Sequence, residues 1–184
     1  MNLRAAAPAD AAAIAGIYAP YVTGSLVSFE TEPPDAAEMR ARIKAGGDRF
    51  PWLVAEDEAG AVYGYAYSAA FRTRPAYRFA VETSLYVAPA SHGRGVGSAL
   101  YQARIATLEA QLYVQAIAAI TLPNPASVRL HERLGFTRAG TYTGVGWKLG
   151  GWHDVGLWQR PLAPAASPPA EPLPFAIISA SAPG

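Results

Sequence analysis

The stretch VETSLYVAPASHGRGVGSALYQ (Val81–Gln102) runs from an alternating apolar segment into a helical pattern through three glycines, Gly93, Gly95 and Gly97. On the strand side, Phe79, Val81, Thr83, Leu85 and Val87 share one face, and Ala80, Glu82, Ser84 and Tyr86 the other. On the helix side, Tyr101, Ile105, Leu108 and Leu112 recur at amphipathic spacing, which predicts a helix from about Gly97 to Leu112. A strand that enters a helix through bare backbone aims free amides and the positive end of the helix dipole at one point, a place for phosphate. The same pattern also serves as a tight connection with no ligand, and spacing alone leaves both readings open. A Walker loop needs Gly-Lys-Ser/Thr, and Gly97-Ser98 has no lysine. A dinucleotide fold needs the glycines after its first strand, whereas here they follow the fourth.

Working outward, the chain before this stretch predicts a helix over Pro8–Tyr21 and an extended segment, SLVSFETEP. A second helix opens at Asp35 with Glu38 in capping position and stops at Gly46-Gly47. WLVAE and AVYGYAYSAA flank a charged turn and read as a hairpin. After the stretch come a buried strand, AIAAITL, and a helix opened by Asn124-Pro125 and closed by Gly135. Two late strands, around Thr141–Val145 and Val155–Gln159, are joined by KLGGWHD. The alternation predicts an α/β (α+β) chain with a mixed sheet: one domain over 1–160, then a Pro/Ala-rich, loosely ordered tail over 161–184.

Composition narrows the chemistry. A formal charge of +1 across 184 residues provides no field for nucleic acid or an anionic membrane, so an anion must be met by local arginines. No apolar run reaches membrane-spanning length, and the N-terminus, broken by Pro8 and Asp10, reads poorly as a signal peptide; the expected location is the cytoplasm. The absence of cysteine excludes a thiolate metal site and a cysteine nucleophile, and the histidines at 92, 131 and 153 form no metal signature.

Three blocks, VETSLYVAPASHGRGVGSALYQ, LPNPASVRLHERLGF and GWHDVGLWQ, resemble in order and spacing the GNAT superfamily of acetyl-CoA-dependent N-acetyltransferases. SFETEPP, PWLVAE and RTRPAY extend the resemblance to the phosphinothricin and methionine sulfoximine acetylating branch, over about Leu3–Arg160. The resemblance implies a splayed sheet of about seven strands flanked by about four helices, and a homodimer. It also implies that Leu85, Tyr86 and Val87 bind the pantetheine arm, and that His92, Gly93, Arg94, Gly95, Val96, Gly97 and Ser98 bind the pyrophosphate of coenzyme A. Two positions depart from the pattern: His92 replaces a usual Gln or Arg, and Thr121 stands where the phosphinothricin enzymes carry Gly.

Acyl transfer to an amine needs a proton acceptor, because an amino acid's amine is mostly protonated at neutral pH. Glu82 reads either as an edge-strand glutamate or as that base, and the resemblance favours the base. His131, between Leu130 and Glu132, reads as a core-edge histidine or, by resemblance, as an acid or base near the coenzyme sulfur. Asn124 is a helix cap and, by resemblance, a pantetheine ligand. Arg72, Arg74 and Arg78 with Tyr77 form either a solvated basic loop or anchors for a small acidic substrate, and Phe29 is either core or a lid over it. His153 is expected to be structural, paired with Asp154. The resulting expectation is direct acetyl transfer to a small amino-acid-like amine without metal. The alternatives are a non-catalytic acyl-CoA sensor and a protein N-terminal acetyltransferase.

Overall fold

A computed structural model describes residues 1–164 and 166–180. Seven strands form one sheet in the order β1-β2-β3-β4-β5-β7-β6: β1 Asn2–Ala5, β2 Leu53–Glu56, β3 Val62–Ala70, β4 Ala80–Val87, β5 Gln115–Leu122, β6 Thr137–Lys148 and β7 Gly151–Pro161. All pairings are antiparallel except β4 with β5. That parallel pairing runs only from Ala80↔Gln115 to Glu82↔Ile117. Beyond Glu82 the two strands part, and the β5 side of β4 has no strand partner.

Helices α1 (Ala11–Gly24) and α2 (Ala36–Gly46) cover one face, and α3 (Val96–Ala110) and α4 (Pro125–Arg133) the other. The alternation within β2 divides the core between them. Trp52 and Val54 join Ile14, Ile17, Tyr18, Val22, Met39 and Ile43 on the α1/α2 side. Leu53 and Ala55 pack with Val96 and Leu100 of α3. Tyr101 and Ile105 of α3 pack with Ala116, Ala118, Ile120, Phe136 and Trp158. Two of the helices, α2 and α4, open at a side-chain cap: Asp35 accepts a hydrogen bond from the Glu38 amide at 2.8 Å, and Asn124 Oδ1 accepts one from the Ser127 amide at 3.1 Å.

Several features differ from the sequence reading. β1 was not expected; it is a short edge strand with no apolar alternation to reveal it, held to β2 by its backbone ladder. SLVSFETEP forms no strand. Side chains hold it instead: the Tyr18 and Ser28 hydroxyls bond at 2.6 Å, and Lys148 Nζ donates to the Ser28 carbonyl at 2.6 Å. The late strands are much longer than expected: β6 is mostly exposed and β7 mostly half-buried, and neither sequence carries period-two patterning along its length. Their connection shrinks to Leu149-Gly150, both at positive φ, so Trp152, His153 and Asp154 lie within β7. His153 and Asp154 do not pair: His153 Nε2 bonds to the Lys148 carbonyl at 2.9 Å, and Asp154 accepts from the Gly144 amide at 2.8 Å.

The segment expected as a loose tail makes specific contacts within its described part. The Leu173 amide donates to the Gln111 carbonyl at 2.8 Å, the Phe175 amide to the Asp48 carbonyl at 2.7 Å, and Glu171 pairs with Arg78. A short helix, α5, covers Phe175–Ala180.

Candidate active site

The widening gap between β4 and β5 continues past the glycine loop into a groove of about 660 Å³. Its walls include Thr83–Val87 of β4, Ala119–Thr121 of β5, the loop at His92, Gly93 and Gly95, the start of α3, and the α4 side chains from Asn124 to Arg133.

The three glycines have different roles. Gly93 and Gly95 have φ of 73° and 81°, a region other residues rarely enter, and a Cβ at either would meet open space. Gly97 is an ordinary helical residue whose Cβ would stand 3.3 Å from Leu85 and 3.6 Å from Leu130, so its bareness lets α3 approach β4 and α4. Gly95 is the N-cap of α3, and no side chain caps it. The amides of Val96, Gly97 and Ser98 therefore open onto the groove with the helix dipole behind them, the donor set a pyrophosphate requires.

His92 belongs to this cradle through a partner the sequence did not suggest. Its Nε2 lies 2.8 Å from the Tyr21 hydroxyl and 3.0 Å from the Val87 carbonyl, and Tyr21 also donates to that carbonyl. α1 thereby fixes the mouth of the loop. Arg94, expected at the pyrophosphate, is exposed and does not line the groove. Asn124 caps α4, as expected, and also lines the groove. Thr121 is buried in the groove wall.

Glu82 and His131 lie on opposite faces of β4. Glu82 shares its face with Ser84 and Tyr86, and Tyr86 packs edge-on against Tyr18 and Tyr21 of α1. Burial raises the Glu82 carboxyl above its ordinary pKa, and the charge of Arg72 partly opposes the rise. His131 is buried beneath the other face; desolvation lowers its pKa, opposed by a hydrogen bond to Ser127. Its Nδ1 is 2.8 Å from the Ser127 carbonyl, its Nε2 is 3.0 Å from the Tyr101 hydroxyl, and Tyr101 bonds to Thr83. The imidazole thus presents no free nitrogen to the groove. The sequence reading placed Tyr101 on the apolar side of its helix and Thr83 on the strand face it shares with Val81 and Leu85; both are buried, and their hydroxyls join this network.

The arginines divide. Arg78 is engaged by Glu171. Arg72 stacks over Phe71 at 4.3 Å and makes no ion pair among the described residues, nor does Arg74. Arg72, Arg74 and Tyr77 are all exposed beyond the Glu82 end of the gap, outside the groove. Phe29 lies apart from them, against Gly146 of β6. Among the described residues no group of three or more His, Asp or Glu side chains could hold a metal ion, and no helix is long and apolar enough to cross a membrane.

A seven-stranded sheet parted beside a glycine-opened helix is the arrangement that the resemblance to the GNAT superfamily of acetyltransferases implies. Residues 14–136 match the acetyltransferase (GNAT) family, and the chain belongs to that family. It is 44% identical over 174 residues to phosphinothricin N-acetyltransferase of Streptomyces viridochromogenes, covering 94% of each chain. It is 38% identical to the L-methionine sulfoximine/L-methionine sulfone acetyltransferase of Pseudomonas paraeruginosa, covering 91% of this chain and 98% of that one. The crystal structure of a phosphinothricin acetyltransferase from Sinorhizobium meliloti in complex with acetyl-CoA superposes with a TM-score of 0.85 at 40% identity, covering 94% of this chain and 92% of that one.

Proposed function

We propose that the protein transfers the acetyl group of acetyl-CoA to the amine of a small amino-acid-like substrate of the phosphinothricin, methionine sulfoximine or methionine sulfone type. The observation that carries this reading is the set of uncapped amides at the start of α3, opening onto a groove whose β4 lining begins at Thr83, next to Glu82, where β4 and β5 part. In this reading Val96, Gly97 and Ser98 hold the pyrophosphate, with Gly93 and Gly95 leaving room for it. Leu85, Tyr86 and Val87 bind the pantetheine arm along the unpartnered side of β4, and Asn124 flanks it. Bound acetyl-CoA supplies an activated acyl group.

Glu82 takes a proton from the amine side. Its raised pKa brings it nearer to the working pH, where a base is most effective. Arg72 and Arg74, with Tyr77, anchor the acidic groups of the substrate, and Phe29 closes over its side chain. The likeness to named acetyltransferases and the presence of a base beside the groove weigh against a non-catalytic sensor.

The reading includes a homodimer, supported by an exposed apolar surface around the β6–β7 hairpin that includes Val145, Trp147, Leu149 and Trp152. It treats residues 1–160 as the catalytic unit and assigns the enzyme to the cytoplasm, where acetyl-CoA is made. The test is thiol release from acetyl-CoA with phosphinothricin, methionine sulfoximine, methionine sulfone, polyamines and peptide N-termini as acceptors. Release with one or more of the first three alone supports the reading, and release only with peptides rejects it.

A further inference from the structure

The neighbours of His131 determine where its protons sit. A carbonyl oxygen can only accept, and two acceptors do not approach to 2.8 Å, so Nδ1 carries a hydrogen donated to the Ser127 carbonyl. Burial keeps the ring neutral, which leaves Nε2 bare. The Tyr101 hydroxyl, 3.0 Å away, must then donate to Nε2, and its oxygen is free to accept from Thr83. Thr83 has a second acceptor in the Ile117 carbonyl at 3.1 Å. The chain therefore has a satisfied arrangement in each of two proton states. With His131 neutral, Thr83 donates to Tyr101 and Tyr101 to Nε2. With His131 protonated, Nε2–H donates to Tyr101, Tyr101 to Thr83, and Thr83 to Ile117.

Of the hydroxyls on the path to Nε2, Thr83 is the one that lines the groove; the Ser127 hydroxyl also lines it but lies on the other side of the ring, 3.3 Å from Nδ1. Tyr101 is fully buried, and both ring nitrogens of His131 are occupied, while Thr83 lines the groove wall. We infer that Thr83 and Tyr101 form a relay that loads a proton from the groove onto His131 Nε2 and returns it, with Thr83 Oγ1 as the port. The inference rests on the proposed acetyl transfer and adds two residues and a direction to it. Thr83 Oγ1 takes a proton from the groove and gives its own to Tyr101, which gives its own to Nε2; the reverse sequence restores every hydroxyl.

The proton count matches the reaction. Amide formation removes two protons from an ammonium nitrogen. One is lost through Glu82 to solvent, and the other, held on His131, returns through Thr83 to the thiol product. The titratable group facing the ring is Tyr101; the buried Arg104, one helical turn along α3, acts on Tyr101, opposing the rise in its pKa that burial causes. From α4 only the Ser127 carbonyl and hydroxyl touch the ring, and from the segment after it the uncharged Phe136.

The test begins on the wild-type protein with its histidines labelled with ¹⁵N, the His131 signals being assigned by their loss in His131→Gln. At pH 7.5 the expected signature is a neutral ring protonated on Nδ1. A proton on Nε2 overturns the inference whether or not any amine is acetylated, so its failure is distinct from failure of the proposed function. With the best acceptor from the amine panel, Thr83→Val and Tyr101→Phe should each lower kcat on the order of 10²-fold while the Kd for acetyl-CoA changes less than about twofold. Thr83→Ser, which keeps the hydroxyl, should restore most of the rate. Wild-type kcat in Thr83→Val, or no rescue by serine, rejects the relay.

Discussion

Phe29 lies against the backbone of Gly146: a Cβ added at Gly146 would stand 2.3 Å from both Cε2 and Cζ of the ring. Two residues further along β6, Lys148 fastens the same segment through the Ser28 carbonyl. Phe29 is therefore seated by a missing side chain and its loop by a buried ammonium. Gly146→Ala should push the ring aside, with overpacking costing about 1–3 kcal/mol locally. The KM for the amine should rise severalfold with an unchanged Kd for acetyl-CoA. Phe29→Ala should match it, and the double variant should be no worse than Phe29→Ala alone. Additive losses would separate Gly146 from the substrate.

For Glu82 the same burial has opposite effects on stability and rate. Its folded-state pKa is raised, so the folded protein holds that proton more tightly than the unfolded chain, and stability is lost as pH rises from the ordinary glutamate range through the raised value. Glu82→Gln removes that loss. Its Tm should exceed wild type at pH 8 and match it near pH 4, while kcat/KM falls roughly 10²–10⁴-fold. Thermal melts at the two pH values and a rate measurement test both halves. A variant no more stable at pH 8 would show that the carboxylate is well solvated.

Arg72 and Arg78 sit in the same loop and should behave differently. Arg72 lowers the pKa of Glu82, so Arg72→Ala should shift the acidic limb of the kcat/KM profile to higher pH, besides raising the amine KM. Arg78, already paired with Glu171, should tolerate alanine with little change in either. Equal pH profiles for wild type and Arg72→Ala would remove Arg72 from the field of the base.

At Gly95 an added Cβ would meet no atom within 4 Å, but valine would be forced to a φ of 81° beside the uncapped amides. Gly95→Val should fold and bind acetyl-CoA at least tenfold more weakly by calorimetry, an effect of about 1.4 kcal/mol or more. Gly97→Val should instead lose stability, since its Cβ meets Leu85 at 3.3 Å. Similar behaviour of the two variants would undo the division of roles among the glycines.

What was legible before folding was whatever a local rule encodes. Asp35 and Asn124 were read as caps because their side chains compete for amides only three residues away, and both do so. The glycine loop was legible because positive φ at Gly93 and Gly95 is a demand of the backbone itself. β6 and β7 were only half visible, because β6 faces solvent over much of its length, β7 is mostly half-buried, and neither carries a clean alternation.

By itself, then, the order of residues determined helices α1 to α4 and the succession of strands from β2 onward, the glycine-opened helix and the chemical types near it, since each is a matter of short-range spacing. Only the tertiary structure decided which side chains meet. Tyr21 reaches Val87 and His92 across more than sixty residues, and Thr83, Tyr101, Ser127 and His131 come from three different elements. Arg94 turned away from the groove its neighbours line, and Glu82 and His131 came to opposite faces of one strand. Such relations depend on how helices seat on a sheet, which is set by the packing of the whole core and leaves no periodic trace in the chain.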